Sequence, residues 1–284
     1  MPKEVLPISC LGSVYIGSKL HEVKLAIDSL ISHTIADQIL IVVDGDIAKE
    51  LTDFLHDYED NNIIKCVFLN QNHGLGLALQ EGLHFCKHEI VIRFDTDDIN
   101  MPNRLEVIYE TLITQPDVDI VGSYVNEFLP LSESKALICL KKVPLTHGAI
   151  KNALMIRNAV NHPSIGFRKS AILGIGSYQH MPLFEDYYLW LRARKYGLRF
   201  FNLKEPLVYM RRSDMMKRRS GWPYLVNEFN FLRVSIKERL IHPIFLIFFI
   251  PRLLSRIIPL KLQVLQNYLP WRSRLYVGNN PDII

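Results

Sequence analysis

The chain has 284 residues, 49% hydrophobic and 22% charged, a globular composition that suits one large domain or two small ones. It excludes disorder, collagen and coiled-coil arrays as the main architecture, and no internal repeat is visible. The net charge of +4 conceals a polarity: residues 1–150 hold 11 Lys+Arg against 22 Asp+Glu (net −11), while residues 151–284 hold 22 against 7 (net +15). Two halves of opposite sign imply different partners, and the basic half suits phosphates or an anionic membrane.

Cys10, Cys66, Cys86 and Cys139 show no metal-like C-x2-C spacing and no disulfide framework, so reducing cytosol is the expected setting. Met1-Pro2-Lys3-Glu4-Val5 offers neither a basic n-region nor an apolar h-region, so no signal peptide is expected.

Along the first 125 residues, apolar runs alternate with helical stripes. Strands are predicted at residues 6–14, 39–43, 63–69, 89–94 and 118–124. Leu20, Val23, Ile27, Leu30 and Ile31 mark one helix, and Ile47, Leu51, Phe54, Leu55 and Tyr58 a second. Asn72-His73-Gly74-Leu75-Gly76 opens another, and Leu105, Ile108, Leu112 and Ile113 mark one more after Pro102. Strands alternating with helices imply βαβ units and a mostly parallel sheet. The run 39–43, Ile-Leu-Ile-Val-Val, is apolar on both faces, as a buried central strand is.

In such sheets ligands bind at the carboxyl ends of the strands. Here those ends carry Asp44-Gly45-Asp46, Asn70-Gln71-Asn72-His73-Gly74 and Asp95-Thr96-Asp97-Asp98. Asp95 and Asp97 stand at i and i+2, so on an extended segment both carboxylates point the same way. A divalent cation relieves their repulsion, and an all-oxygen set suits Mg²⁺ or Mn²⁺ rather than zinc. A solvated acidic turn is the alternative, with Asp98 capping the next helix. Glycines after Asn72 allow close approach of backbone to a ligand, yet neither a P-loop nor G-x-G-x-x-G is present.

The second half is less regular. Helices are predicted at residues 146–157 and 185–196, and a hairpin-like pair at 198–203 and 206–211. From Pro223 onward the pattern is helical. Seven consecutive apolar residues, 244–250, lie between Pro243 and Pro251 and are flanked by Arg233, Lys237, Arg239, Arg252 and Arg256. A spanning helix needs ~20 apolar residues, so the stretch reads as an amphipathic helix lying in a membrane interface. A core helix or a dimer contact is the alternative.

Several runs taken together resemble glycosyltransferase family 2. They are Val43-Asp44-Gly45, the segment from Asn72-His73-Gly74 to Gly82, Arg93-Phe94-Asp95-Thr96-Asp97-Asp98-Ile99 with Pro102 and Arg104, Asn161-His162-Pro163-Ser164 with Phe167-Arg168-Lys169, and Phe184-Glu185-Asp186-Tyr187-Tyr188-Leu189-Trp190-Leu191-Arg192. The likeness spans roughly residues 8–222 and is nearest the amylovoran-type bacterial surface-polysaccharide transferases.

That resemblance implies a GT-A fold: α/β, a Rossmann-like mostly parallel central sheet flanked by helices, here with a C-terminal helical, membrane-associating extension. The implied division is a nucleotide-sugar half (1–125), an acceptor and catalytic-base half (126–222) and a basic, apolar extension (223–284). It implies an inverting, non-processive hexosyltransferase using Mn²⁺ or Mg²⁺, because the processive Q-x-x-R-W motif is absent from the sequence. By position, Asp44 would read the base, Asp95 would lie near the ribose, Asp97 with Asp95 would hold the metal, and Asp186 would be the general base beside Glu185. Val14, Tyr15, Asn72, Gly74, Arg93 and Thr96 would border the nucleotide sugar, although Ile16-Gly17 stand where the family often has Asn. His162, Arg211, Arg212, Lys217, Arg218 and Arg219 would meet acceptor or phosphates.

The expected partners are a UDP-sugar, a polyprenyl-diphosphate-linked saccharide in O-antigen, capsule or exopolysaccharide synthesis, and an anionic inner-membrane surface reached peripherally from the cytoplasmic face. Nucleic acid is not expected. The rival readings are a sugar-nucleotide pyrophosphorylase, whose Gly-rich first loop is missing, and a catalytically silent GT-A-like membrane-surface scaffold.

Overall fold

The computed structural model describes residues 5–32, 35–212, 221–257 and 275–283. Four parallel strands form its centre: β1 (Val5–Val14), β2 (Ile35–Asp44), β3 (Lys65–Leu69) and β4 (Ile90–Arg93). Helices α1 (Leu20–Ile31), α2 (Lys49–Asp60) and α3 (Leu75–Phe85) are the crossovers between them. Their order in the sheet is β3-β2-β1-β4, so the chain winds outward from β1 and then returns to its other side. Ligands of such sheets bind where the strand order reverses, here between β1 and β4, and at the carboxyl end of β4 Arg93 leads into the acidic run.

Both faces of this sheet are covered, which explains the unbroken apolar strands. Leu40 and Val42 of β2 enter one buried cluster with Leu11, Val91, Ala78 and Leu79. Ile39, Ile41 and Val43 enter the other with Val23, Ile27, Leu51 and Leu55. The side chains therefore alternate between two cores, as a strand period of two requires. Of the stripes predicted for α1 and α2, Val23, Ile27, Leu30, Leu51 and Leu55 bury, Ile31, Ile47, Phe54 and Tyr58 pack partly buried beside them, and Leu20, at the first turn of α1, is exposed.

Beyond β4 the sheet turns antiparallel. Pro102 precedes α4 (Arg104–Thr114). Strand β5 is Ile99–Asn100, β6 is Ile120–Pro130, β7 is Lys135–Lys141, β8 is Gly166–Arg168, β9 is Phe200–Arg211 and β10 is Tyr276–Asn279. The path continues β4-β8-β6-β7-β10, with β9 parallel to β6 and paired with β5. The hairpin predicted at 198–203 and 206–211 is corrected: residues 200–203 and 206–211 belong to one strand, β9, whose register against β6 shifts near Tyr124, opposite Pro206. Proline cannot donate to a ladder, and that irregularity imitates a turn in the sequence. The last predicted strand also runs further, to Pro130, and turns into β7.

In the same half, α5 spans His147–Ala153, α6 Lys169–Gly174 and α7 Glu185–Lys195. Helix α8 (Gly221–Lys237) and helix α9 (Leu246–Ile257) follow. Trp190, Leu189 and Tyr187 of α7 bury in the first cluster with Phe231 of α8 and Phe249 of α9. Phe231 lies 4.9 Å from both Phe184 and Tyr187, ring to ring. That aromatic packing fixes the start of α7 over the sheet. All four cysteines are buried free thiols, and burial pushes those of Cys10, Cys66 and Cys86 up to about 12.

Candidate active site

Asp44 ends β2, where its carboxylate accepts backbone N–H bonds from His73 (2.7 Å) and Gly74 (2.9 Å). Asn72 donates to the Asp44 carbonyl at 3.1 Å. The turn between them needs Gly45, whose φ is +78° and whose Cβ would stand 2.6 Å from the Asn72 nitrogen. Asp44 thus fixes the loop that starts α3. Val14 is fully buried at the end of β1, whereas Tyr15 is exposed, its ring lying over Gly17.

The acidic run leaves β4 from an anchored base. The buried Arg93 guanidinium grips Asp95 with both terminal nitrogens, Nη1 to Oδ2 at 2.6 Å and Nη2 to Oδ1. Burial pulls the Arg93 pKa down, but the Asp95 carboxylate more than offsets it, so the net shift is upward. Thr96 Oγ1 donates to the Ser13 carbonyl at 2.9 Å, tying the run to the end of β1. Arg104, also buried, donates to the Arg93 carbonyl and to Asn100. An arginine engaged bidentately on a carboxylate is a rigid mount for that group.

Carboxylate oxygens of Asp95, Asp97 and Asp98 lie within 4.8 Å of one another. Asp98 is 3% exposed. Its Oδ1 accepts the Arg211 backbone N–H at 2.8 Å, and its Oδ2 is buried with no hydrogen-bond partner among the described residues. Burial, then the charges of Asp97 and Asp95, hold the Asp98 carboxyl well above the usual carboxylate range. An orphaned buried oxygen beside two further carboxylates is what a hard divalent cation would satisfy, so the donor set fits Mn²⁺ or Mg²⁺. The same buried position answers the alternative of an exposed capping turn: α4 begins at Arg104 with no side-chain cap.

Helix α7 carries two further carboxylates in its first turn. Asp186 Oδ2 accepts from Asn158 Nδ2 at 2.7 Å, and Oδ1 accepts the Tyr187 N–H at 2.6 Å. Glu185 packs on α3: a Cβ on Gly76 would stand 3.1 Å from the Glu185 Cβ and 3.0 Å from the Gln179 carbonyl. Glycine at 76 therefore lets α7 approach the loop that Asp44 holds. Burial, then the Asp186 charge, raises the Glu185 pKa from 4.5 to about 7, with Arg93 and Asp95 also in electrostatic reach. The buried Tyr178 hydroxyl senses Arg93, Asp186, Glu185 and Asp95 together, burial being the main cause of its raised pKa. Tyr178 thus feels charge both from the start of the acidic run and from α7.

His162 does not reach into that region as a free ligand. Its ring is buried, bonds Tyr178 Oη through Nε2 at 2.9 Å, and lies near Trp190. Burial, and then Arg93, hold its pKa well below the ordinary histidine value. Arg211 departs from its expected phosphate role, because its buried guanidinium is bonded to Asp282 and to the Asp97 carbonyl. Arg212 pairs with Glu127 at 3.8 Å. Lys217, Arg218 and Arg219 lie outside the described residues.

Sequence reasoning missed Asn158, Tyr178 and Asp282. Asn158 lies four positions before His162, yet nothing local marks it as the partner of Asp186. Tyr178 and Asp282 meet their partners only through folding.

The signature of Glycosyl transferase family 2 matches residues 18–173. The chain is 34% identical to the UDP-Gal:alpha-D-GlcNAc-diphosphoundecaprenol beta-1,3-galactosyltransferase of Escherichia coli, covering 91% of this chain and 94% of that protein. It is also 34% identical to the amylovoran biosynthesis glycosyltransferase AmsE of Erwinia amylovora, over 89% and 95% of the two lengths. The O-antigen biosynthesis glycosyltransferase WbnJ of Escherichia coli is 31% identical over 77% and 85%. Among solved structures, S. aureus TarS 1–349 in complex with UDP-GlcNAc superimposes with a TM-score of 0.60 at 13% identity, covering 80% of this chain and 65% of that one. This likeness speaks to the α/β, GT-A-like fold, which agrees with the expectation from sequence.

Proposed function

Because the chain belongs to glycosyl transferase family 2, we propose that it moves one hexose from a UDP-sugar to a lipid-diphosphate-linked saccharide, inverting the transferred carbon. The named activity of the Escherichia coli galactosyltransferase supports that acceptor class, and O-antigen and amylovoran relatives support the setting of surface-polysaccharide assembly. The observation that carries the reading is that Asp95 of the Arg93-mounted run and Glu185 and Asp186 of α7 all bear electrostatically on the one buried Tyr178 hydroxyl, while Gly76 lets Glu185 pack on the helix that follows the Asp44 loop.

In this reading Asp44 holds the loop 72–74 and keeps lone pairs for a nucleobase N–H. Asp95 sits beside the ribose, while Asp97, Asp95 and Asp98 would hold the cation. When bound, that cation offsets negative charge growing on the departing diphosphate. Asp186, held by Asn158, accepts the proton of the acceptor hydroxyl as that oxygen attacks from the opposite face. The nucleophile belongs to the acceptor, so no protein hydroxyl or thiol is needed. Glu185, with its pKa near 7, borders the base and tunes its field. Transfer ends after one sugar.

Membrane association forms the last part of the proposal. Among the described residues no helix is long and apolar enough to cross a membrane. Trp222, Val226 and Phe229 nevertheless lie exposed along one face of α8, continued by exposed Arg233. Ile244, Ile247, Phe248 and Ile250 are exposed at α9, whose Phe249 buries in the core. One face of α9 therefore packs inward, combining the core helix and the amphipathic one. Exposed aromatics beside basic residues suit an anionic interface, at the cytoplasmic face where a nucleotide sugar and a lipid-linked acceptor meet.

The test is transfer itself. Purified protein with Mn²⁺, a panel of UDP-sugars and a synthetic lipid-diphosphate GlcNAc should yield one lengthened product. Failure to extend any lipid-diphosphate acceptor, despite donor binding, would reject the acceptor class.

A further inference from the structure

The C-terminal segment returns to the sheet and touches the acidic run through one arginine. Strand β10 pairs antiparallel with β7, Tyr276 opposite Ile138 and Asn279 opposite Lys135. Asn280 then locks the corner: its N–H donates to the Ser134 carbonyl at 3.0 Å, and its Nδ2 donates to the carbonyls of Ser132 (3.1 Å) and Glu133 (3.2 Å). Its Oδ1 accepts from the Asp282 N–H at 3.3 Å. These bonds aim Asp282 at Arg211, whose Nη1 and Nη2 donate to its two oxygens at 3.0 and 2.5 Å.

Arg211 has no freedom of its own there. Its guanidinium is 4.8 Å from the Phe128 ring centroid, its side chain is 4% exposed, and its Nε lies 3.5 Å from Glu22. The same Nε donates to the Asp97 carbonyl at 3.0 Å, and the Arg211 backbone N–H donates to Asp98 Oδ1 at 2.8 Å. Asp282 therefore bears on the acidic run twice. It fixes the arginine that holds the backbone of Asp97 and a carboxylate oxygen of Asp98. It also neutralises a buried positive charge that would otherwise compete with a cation for those carboxylates.

We propose that Asp282 is a positioning residue for the cation-binding carboxylates, acting through Arg211, so that the C-terminal strand completes the active site. The inference rests on the reading of Asp95, Asp97 and Asp98 as a cation site. Groups that orient and balance metal ligands typically change metal affinity about 10- to 100-fold when removed. An element that merely closed the sheet edge would change stability and leave cation affinity alone.

The experiment is a Mn²⁺ titration of full-length protein in the presence of UDP, with free Mn²⁺ read by electron paramagnetic resonance. Wild type, Asp282→Asn and Asp282→Glu are compared, and melting in EDTA checks folding. Asp282→Asn should weaken Mn²⁺ binding about tenfold, and Asp282→Glu should restore most of it. Equal affinity in wild type and a folded Asp282→Asn overturns the inference while leaving the cation site standing. A wild type that binds no Mn²⁺ overturns the cation reading and this inference with it. Should Asp282→Asn fail to fold, Asn280→Ala releases the corner that aims Asp282, and the same weakening is expected; unchanged affinity there also overturns the inference.

Discussion

Asn158 and Asp186, 28 positions apart, are joined by a single 2.7 Å bond from Nδ2 to Oδ2. It aims the carboxylate, which is seated in the first turn of α7, where the helix dipole favours negative charge. Asp186→Asn should lower kcat by ~10²–10⁴-fold, with UDP binding by calorimetry unchanged. Loss of UDP binding instead would remove its role as base. Asn158→Ala removes the orienting bond to a charged group, a loss that corresponds to about tenfold in kcat, together with the bond its Oδ1 accepts from the Val160 N–H at 3.2 Å. Its donor KM should be unaltered.

Glu185 gives stability a pH dependence. Its carboxyl titrates near 7 in the folded chain against 4.5 normally, so between those values the folded state holds a proton the unfolded state has released. Stability therefore falls as pH rises through this window, and the penalty is complete above it. A shift of that size corresponds to ~3 kcal/mol at most. Glu185→Gln removes the penalty. Thermal melts in EDTA should show the variant gaining on wild type as pH rises from about 5 to about 8. Parallel curves would show that Glu185 ionises freely in the folded protein.

Much of this was legible in the residues, for identifiable reasons. The central strands announce themselves because both their faces bury, and α1 and α2 because each buries one stripe. The acidic run, Asp44 and the Glu185-Asp186 pair stand at strand or helix ends, where motif and position coincide. What stayed hidden depends on distant partners. Strands β8 and β10 are short, β7 takes its register from β6 and β10, and β9 looked like a hairpin because its pairing shifts where Pro206 lies opposite Tyr124. Arg211 read as a phosphate ligand because nothing near it in sequence reveals Asp282.

Asp95 and Asp97 should separate in their effects although both are acidic. Asp95 neutralises the fully buried Arg93, so Asp95→Ala leaves a guanidinium without its counter-charge. Breaking a fully buried pair costs about 3–5 kcal/mol; with Asp95 27% exposed, about 2–3 kcal/mol is expected. Asp97→Ala leaves the Arg93–Asp95 pair in place, and Mn²⁺-dependent UDP binding should weaken. EDTA should abolish transfer and Mn²⁺ restore it. Unchanged UDP binding in Asp97→Ala would refute a metal role for that residue.

Helix α8 offers a cleaner test of membrane attachment than removing everything after Lys237. That deletion also discards Asp282 and β10, so lost activity would not report on lipid. Trp222 and Phe229 are 75% and 65% exposed, and their replacement leaves the core intact. Each large apolar side chain buried in an interface contributes about 1.5–3 kcal/mol, so the double change Trp222→Ser with Phe229→Ser should weaken binding to anionic vesicles ~100-fold or more. Turnover on a detergent-soluble acceptor should be unchanged, because both side chains face solvent. The residual binding should fall as salt rises, since Arg233, Lys237 and Arg239 remain exposed beside that face. Full vesicle binding by the double variant would reject α8 as the anchoring surface.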